Sequence, residues 1–135
     1  MKCIIAGSRR RFGQQILEAH QIFESHGICI TFPLHKRVID VRDGLPIFEG
    51  DPPEASVREL EDGYLRALDI AEVVYIVNPK GYLGKGTIFE SGYAHARGKE
   101  IFASDPVGDV IGSYVSGVYN PEEFVGFLRR EGRLK

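Results

Sequence analysis

The chain predicts an α/β fold, a parallel sheet of about five strands with helices on both faces. Three observations point to it. Short apolar runs alternate along the chain with segments of helical periodicity. The runs are apolar throughout, as strands covered on both sides are, instead of alternating with polar residues. Gly27 and Gly98 close helical segments, and Pro52-Pro53 and Asn120-Pro121 open them.

Lys2–Ala6 (KCIIA) is the first strand, closed by Gly7-Ser8. Phe12, Ile16, Ala19 and Phe23 recur at helical spacing, so a first helix covers about residues 12–25. Residues 28–32 (ICITF) are β-branched and aromatic, a second strand ended by Pro33. Residues 33–53 are less regular and hold two short apolar runs around Asp43-Gly44. Asp-Gly favours a tight hairpin, although Pro46 weakens its second arm. Irregular segments of this length often form binding loops, so this one is a candidate flap.

The helix that follows carries Val57, Leu60, Tyr64, Leu68 and Ala71 on one face. Residues 73–77 (VVYIV) form the clearest buried strand. A glycine loop, 78–86, leads to a helix over about residues 87–97. Residues 100–103 give a fourth strand, and a weak fifth lies near 116–119. Asn120 caps the last helix, Pro121 suits its first position, and Glu122 and Glu123 favour its positive end. Right-handed crossovers favour the strand order 2-1-3-4-5. Strands one and three are then neighbours whose helices leave on opposite faces. Ligands bind in the crevice so formed, here lined by loops 7–11 and 78–86.

The length of 135 residues suits one domain, 1–135, and a net charge of −2 gives no general attraction to nucleic acid polymers or anionic membranes. No apolar run approaches the ~20 residues that span a bilayer, and the apolar start is too short for a signal peptide. The expectation is a soluble cytoplasmic protein. Cys3 and Cys29 lack metal-ligand spacing and read as two buried side chains in a reducing compartment. His20 and His26 read as exposed, His95 falls off the Glu90 face of its helix, and no metal site is expected.

Gly7 allows close backbone approach to a ligand, and the helix start behind it favours an anion. Ser8 can donate a hydrogen bond and Arg9 can grip a phosphate or carboxylate. The plainer alternative is a tight turn, a helix cap and solvated arginines. Neither a dinucleotide fingerprint nor a P-loop is present. Glu90 also has two readings. Thr87-Ile88-Phe89-Glu90 is a capping box, with Thr87 as cap and Glu90 reaching back to it. A carboxylate in a first helical turn is also kept ionised, as a nucleophile needs. Around it, Asn78, Gly84, Gly86 and Thr87 belong to the loop that would admit a substrate. Tyr82 or Tyr93 can stack on a base or sugar. Gly92, Ala94 and Ala96 keep the helix slim against the sheet.

The stretch "AEVVYIVNPKGYLGKGTIFESGYAHARGKEIF" resembles the signature region of the nucleoside 2-deoxyribosyltransferase-like superfamily, and "MKCIIAGSRRRF" resembles its first strand and loop. The match covers about half of the chain, with GTxxExGYAxAxGK its specific part. The resemblance implies a flavodoxin-like three-layer sandwich and N-glycosidic chemistry on a nucleoside or nucleoside 5′-monophosphate. Glu90 falls on the family's nucleophile, which attacks the anomeric carbon and forms a glycosyl-enzyme. A second base or water then resolves it, giving transfer or hydrolysis. No metal or organic cofactor is implied. Dimers or larger homo-oligomers are, with a neighbour's residue able to complete the pocket. Two family acids are replaced, one by Tyr64 in the helix before the third strand and one by Gly84. Tyr64 takes a catalytic helper's position, though a phenol of reference pKa ~10 is a poor substitute for a carboxylic acid. His35, Asp40 or Asp43 on the flap are alternative proton donors. The missing acids also motivate a second reading, a non-catalytic nucleotide-binding sensor or regulatory module. A flavin electron-transfer protein is a third, disfavoured by the first loop.

Overall fold

The computed structural model describes residues 1–33, 38–43 and 45–134. Its main sheet contains β1 (Lys2–Ala6), β2 (Cys29–Phe32), β5 (Val73–Ile76), β6 (Glu100–Ala103) and β7 (Gly117–Val118). A separate hairpin is made by β3 (Val38–Arg42) and β4 (Leu45–Phe48). The helices are α1 (Arg9–Ser25), α2 (Val57–Ile70), α3 (Lys85–Ala96) and α4 (Pro121–Arg130). All pairings in the main sheet are parallel, in the order β2-β1-β5-β6-β7. Counted without the hairpin, this is the predicted 2-1-3-4-5 order of a flavodoxin-like sandwich.

Alternation along the strands divides the core. Cys3, Ile5, Val73, Tyr75 and Phe102 face α1 and α4, where they meet Ile16, Phe23, Phe124 and Leu128. Ile4, Ala6, Val74, Ile76 and Ile101 face α2 and α3, against Tyr64, Leu68 and Ala94. Both sheet faces are therefore covered, as the unbroken apolar runs required. Capping boxes start α2 at Ser56/Glu59 and α4 at Asn120/Glu123.

The irregular segment 33–53 carries the expected hairpin, with Asp43 at φ 50° in the left-handed region that Asp tolerates. Gly44, the second residue of the expected turn, lies outside the described residues, as does His35. Arg42 donates to the carbonyls of Ala55 and Pro53, tying the hairpin to the approach of α2. Phe48 packs edge-on against Phe32 at 5.7 Å, joining the hairpin to the sheet edge.

Several expectations are corrected. The fifth strand is only two residues long. Cys29 is exposed at the edge strand, whereas Cys3 is buried in the center of the core. His20 is buried instead of exposed, its Nε2 2.9 Å from the Pro33 carbonyl, because that face of α1 turns toward the end of β2. Gly92 and Ala96 lie on the outer face of α3, so only Ala94 allows its close approach to the sheet.

Candidate active site

The crevice at the carboxyl ends of β1 and β5 is built first from Gly7. Its φ is +143°, and a Cβ there would lie 2.7 Å from the Val77 carbonyl oxygen. Only glycine lets the chain leave β1 so close to β5. Ser8 then caps α1, its Oγ accepting from the Arg11 amide at 3.3 Å. Arg9, partly buried, lays its guanidinium over the Phe32 ring at 4.7 Å from the centroid. Arg11 stacks on Tyr82 at 4.2 Å, and Phe12 meets the same ring edge-on.

The Thr87/Glu90 capping box does not form. Helix α3 begins two residues earlier, with Gly84 as its N-cap and the Ile88 amide donating to the Gly84 carbonyl. Thr87 is thereby inside the first turn, buried, with its carbonyl accepting from the Ser91 hydroxyl at 2.7 Å. Glu90 moves into the second turn, beyond the reach of the helix-end field that was expected to keep it ionised.

Glu90 is 7% exposed, and Glu61 of α2 is near enough for its carboxyl group to act on that of Glu90. Burial, then the Glu61 hydrogen bond and charge, push the Glu90 acid well above the usual carboxylate range, while the Arg9 charge pulls the other way. Glu90 therefore keeps its proton in the folded protein at neutral pH. Glu61 Oε1 is buried and has no hydrogen-bond partner among the described residues. Arg9 is drawn down to about 10 by burial, opposed by Tyr64 and Glu90. The Tyr64 phenol is 4% exposed, with its hydroxyl 3.5 Å from the Ile5 carbonyl oxygen. Burial, and next the Glu90 charge, raise it well above its ordinary value, so it remains a neutral donor.

Arg9, Glu90 and Tyr64 thus converge, with Gly7 and Ser8 at one edge and Tyr82 at the rim beside Gly84. Asn78 and Tyr93 have other attachments. The Asn78 side chain is fully buried, bonded to Ser104 Oγ, the Asp105 amide and the Asp105 carbonyl, so it ties the β5 and β6 loops together. The Tyr93 hydroxyl donates to Asp69 at 3.0 Å on the seam between α2 and α3, where Arg97 also holds Asp69. Gly86 has open space where a Cβ would stand.

Glu61 was missed in the sequence. The signal was present, since it lies one turn before Tyr64 and three and four residues from inward-facing neighbours. An acid on an apolar helix stripe marks a functional candidate. A cavity of about 340 Å³ between α2, β2 and the hairpin is lined by Phe32, Phe48, Asp51, Tyr64 and Arg66 among others. Another, about 380 Å³, lies between α1 and the start of α4, lined by Glu18, Tyr75, Asp105 and Glu122. Glu90 lines neither. Tyr64, whose phenol feels the Glu90 charge, lies in the wall of the first.

Fold and site together define a flavodoxin-like α/β protein with a buried glutamate, Glu90, and a half-buried one, Glu61, beside the switch point of its sheet. No family model and no curated protein sequence matches the chain. Similarity to solved structures extends over almost its whole length. The CMP N-glycosidase BcmB of Clostridium botulinum superposes with a TM-score of 0.60 at 14% identity, covering 97% of this chain and 99% of that one. A conserved protein from Enterococcus faecalis V583 gives 0.61 at 12% identity, covering 97% and 98%. At these identities the likeness is one of fold. Among the described residues no helix is long and apolar enough to cross a membrane.

Proposed function

We propose that this chain cleaves the N-glycosidic bond of a nucleoside 5′-monophosphate, with Glu90 as nucleophile and Glu61 as proton donor. The observation that carries this reading is a glutamate, Glu90, buried on the side of the sheet where Glu61 of α2 and Arg9 of α1 both act on its charge. The chemistry needs an anion beside an acid, and Glu90 becomes the anion by passing the proton that burial keeps on it to Glu61 as the substrate enters. A Glu90 oxygen bonds to the anomeric carbon as the carbon–nitrogen bond breaks, and the electron pair leaves with the base. Glu61 gives its proton to that base. Water then attacks the same carbon, Glu61 takes the proton from the water, and the ester to Glu90 breaks. If a second base replaces water, the outcome is transfer.

The 5′-phosphate is assigned to the Gly7-Ser8 turn, where the amides of α1 begin. Tyr64 contributes a neutral hydroxyl. The fold shared with a protein described as a CMP N-glycosidase supports a nucleotide substrate.

The test incubates wild type, Glu90→Gln and Glu61→Gln with a panel of nucleoside 5′-monophosphates that includes CMP, and measures free base by chromatography. Wild type is expected to release base. Glu90→Gln is expected to lose about 10³-fold or more, and Glu61→Gln about 10²- to 10⁴-fold, the range for a general acid. Undiminished release by Glu90→Gln removes the nucleophile assignment. Saturable binding with no base from any substrate favours a binding module instead.

A further inference from the structure

The wall of the cavity between α2, β2 and the hairpin holds a glycine that neither backbone nor packing requires. Gly63 stands in the middle of α2, where glycine is among the least favourable residues. Its backbone is helical, and a Cβ built there would meet only Arg66 Nη2, at 3.7 Å, an ordinary contact distance. Alanine would fit the fold. What glycine keeps is open space on the cavity side of the helix.

Three aromatic rings share that wall. Phe32 meets Phe48 at 5.7 Å and Tyr64 at 5.1 Å, with interplanar angles of 76° and 77°. Rings set in more than one plane offer faces and edges to a flat guest. Of the charged groups in the wall, Asp51 accepts from the Phe48 amide at 2.8 Å and Glu59 from the Ser56 amide at 3.2 Å. Arg66 has no hydrogen bond or ion pair among the described residues, and its guanidinium lies beside the open Gly63 position. Its fork is free to hold two adjacent acceptors. Two carboxylates against one guanidinium disfavour an anion, so the guest is uncharged. A volume of about 340 Å³ is at the low end for small-molecule sites, which suits one ring system. Neither Glu90 nor loops 7–11 and 78–86 contribute to the wall among the described residues.

We propose that this cavity is a binding site, separate from the Glu90 crevice, for an uncharged nucleobase-like heteroaromatic ring. The ring packs against Phe32, Phe48 and Tyr64, and Arg66 reads two adjacent acceptors on its edge. The site stands whether or not Glu90 acts on a glycosidic bond.

The experiment titrates cytosine, whose O2 and N3 are adjacent acceptors, into the full chain by calorimetry and NMR. Uracil and benzyl alcohol serve as comparisons. Cytosine is expected to bind saturably, with nuclear Overhauser contacts from its H5 and H6 to Phe48 and Leu60. Uracil should bind about tenfold more weakly, because an N–H separates its two carbonyls. Arg66→Met, which keeps the stem and loses the fork, should weaken cytosine about tenfold and leave benzyl alcohol unchanged. Gly63→Leu, which fills the open space, should weaken cytosine about tenfold or more. Gly63→Ala should raise Tm, since the helix gains and nothing is crowded.

Absence of saturable cytosine binding overturns the proposal. So do contacts to Tyr82 and Leu83 in place of Phe48 and Leu60, which put the ring in the crevice. Benzyl alcohol binding as tightly as cytosine, in wild type and Arg66→Met alike, makes this an apolar cavity with no edge readout and overturns it too. A lower Tm for Gly63→Ala would show that the glycine serves packing and removes the argument's footing. Should Gly63→Leu fail to fold, the wild-type contacts and Arg66→Met decide the case. Cytosine bound at Phe48, with no base released from any nucleotide, sustains this site and sinks the N-glycosidase reading.

Discussion

Glu90→Gln should stabilise the protein, by an amount that grows with pH. The unfolded chain has Glu90 near 4.5, and the fold raises it through burial and through Glu61. Below that pH the group is protonated in both states and contributes nothing to the difference. As pH rises, the unfolded chain releases a proton that the folded chain still holds, so wild-type stability falls until the folded group also ionises. The slope is about 1.4 kcal/mol per pH unit, which sets a ceiling of about 4 kcal/mol by pH 7.5. Arg9 offsets part of this, and relaxation with water penetration takes more. A gain of about 2 kcal/mol for Glu90→Gln at pH 7.5 is expected, about 5–8 °C in Tm for a domain of this size. The glutamine amide can still donate to Glu61, so the substitution removes the titration without leaving a hole. Urea and thermal melts of both proteins at pH 4.5, 6.0 and 7.5 give the assay. A difference that stays flat with pH, or wild type gaining on the variant as pH rises, refutes a Glu90 that keeps its proton in the folded protein.

Three further outcomes follow from packing and caps. Gly7→Ala should cost about 2–3 kcal/mol in urea unfolding, because φ is +143° and the new methyl meets the Val77 oxygen at 2.7 Å. Asn78→Ala should lose about 2–3 kcal/mol by the same measurement, since it leaves the Asp105 amide and carbonyl without their buried partner. Asn120→Ala should lose about 1 kcal/mol, the worth of a side-chain cap, because its Oδ1 accepts the Glu123 amide at 2.8 Å.

The sheet order was legible because buried parallel strands carry a strong signal: VVYIV and KCIIA have no polar face to hide. The site was legible only in part. Glu90 and Arg9 were singled out from their loops as candidates, but the start of α3 was misplaced, because Thr87-x-x-Glu90 has the pattern of a capping box. Gly84 took the cap with its backbone alone, a choice that leaves no mark in side-chain chemistry. Glu61 was not legible because the position where the family resemblance places an acid on this helix is Tyr64. A glutamate one helical turn away presents its carboxyl group on a neighbouring part of the same face. His20 looked exposed because its burial depends on the turn at Pro33, which no periodicity within α1 reports.

The position of the pair explains why both acids have to come from helices that share one face of the sheet. In this topology α1 leaves β1 toward one side, while α2 and α3 pack together on the other. Glu61 and Glu90 therefore come from neighbouring helices on one side of the sheet, and the Arg9 charge acts on Glu90 from the β1 turn. Burying Glu90 opposes folding at neutral pH, since burial disfavours the charge that it would carry in water. A core position under selection for stability alone would hold a hydrophobic residue there, as Leu68 does one turn beyond Tyr64. The same seam holds the opposite case: Asp69 is met by Tyr93, Arg97 and Lys99, and hydrogen bonding to Arg97 holds its acid below the usual range. One carboxylate on α2 is thus satisfied by donors, while another is paired with a second acid. The satisfied carboxylate is what structural needs produce. Glu90, by contrast, is held above the usual carboxylate range by burial and by Glu61 beside it, an arrangement that stability does not call for and that the proposed chemistry would use.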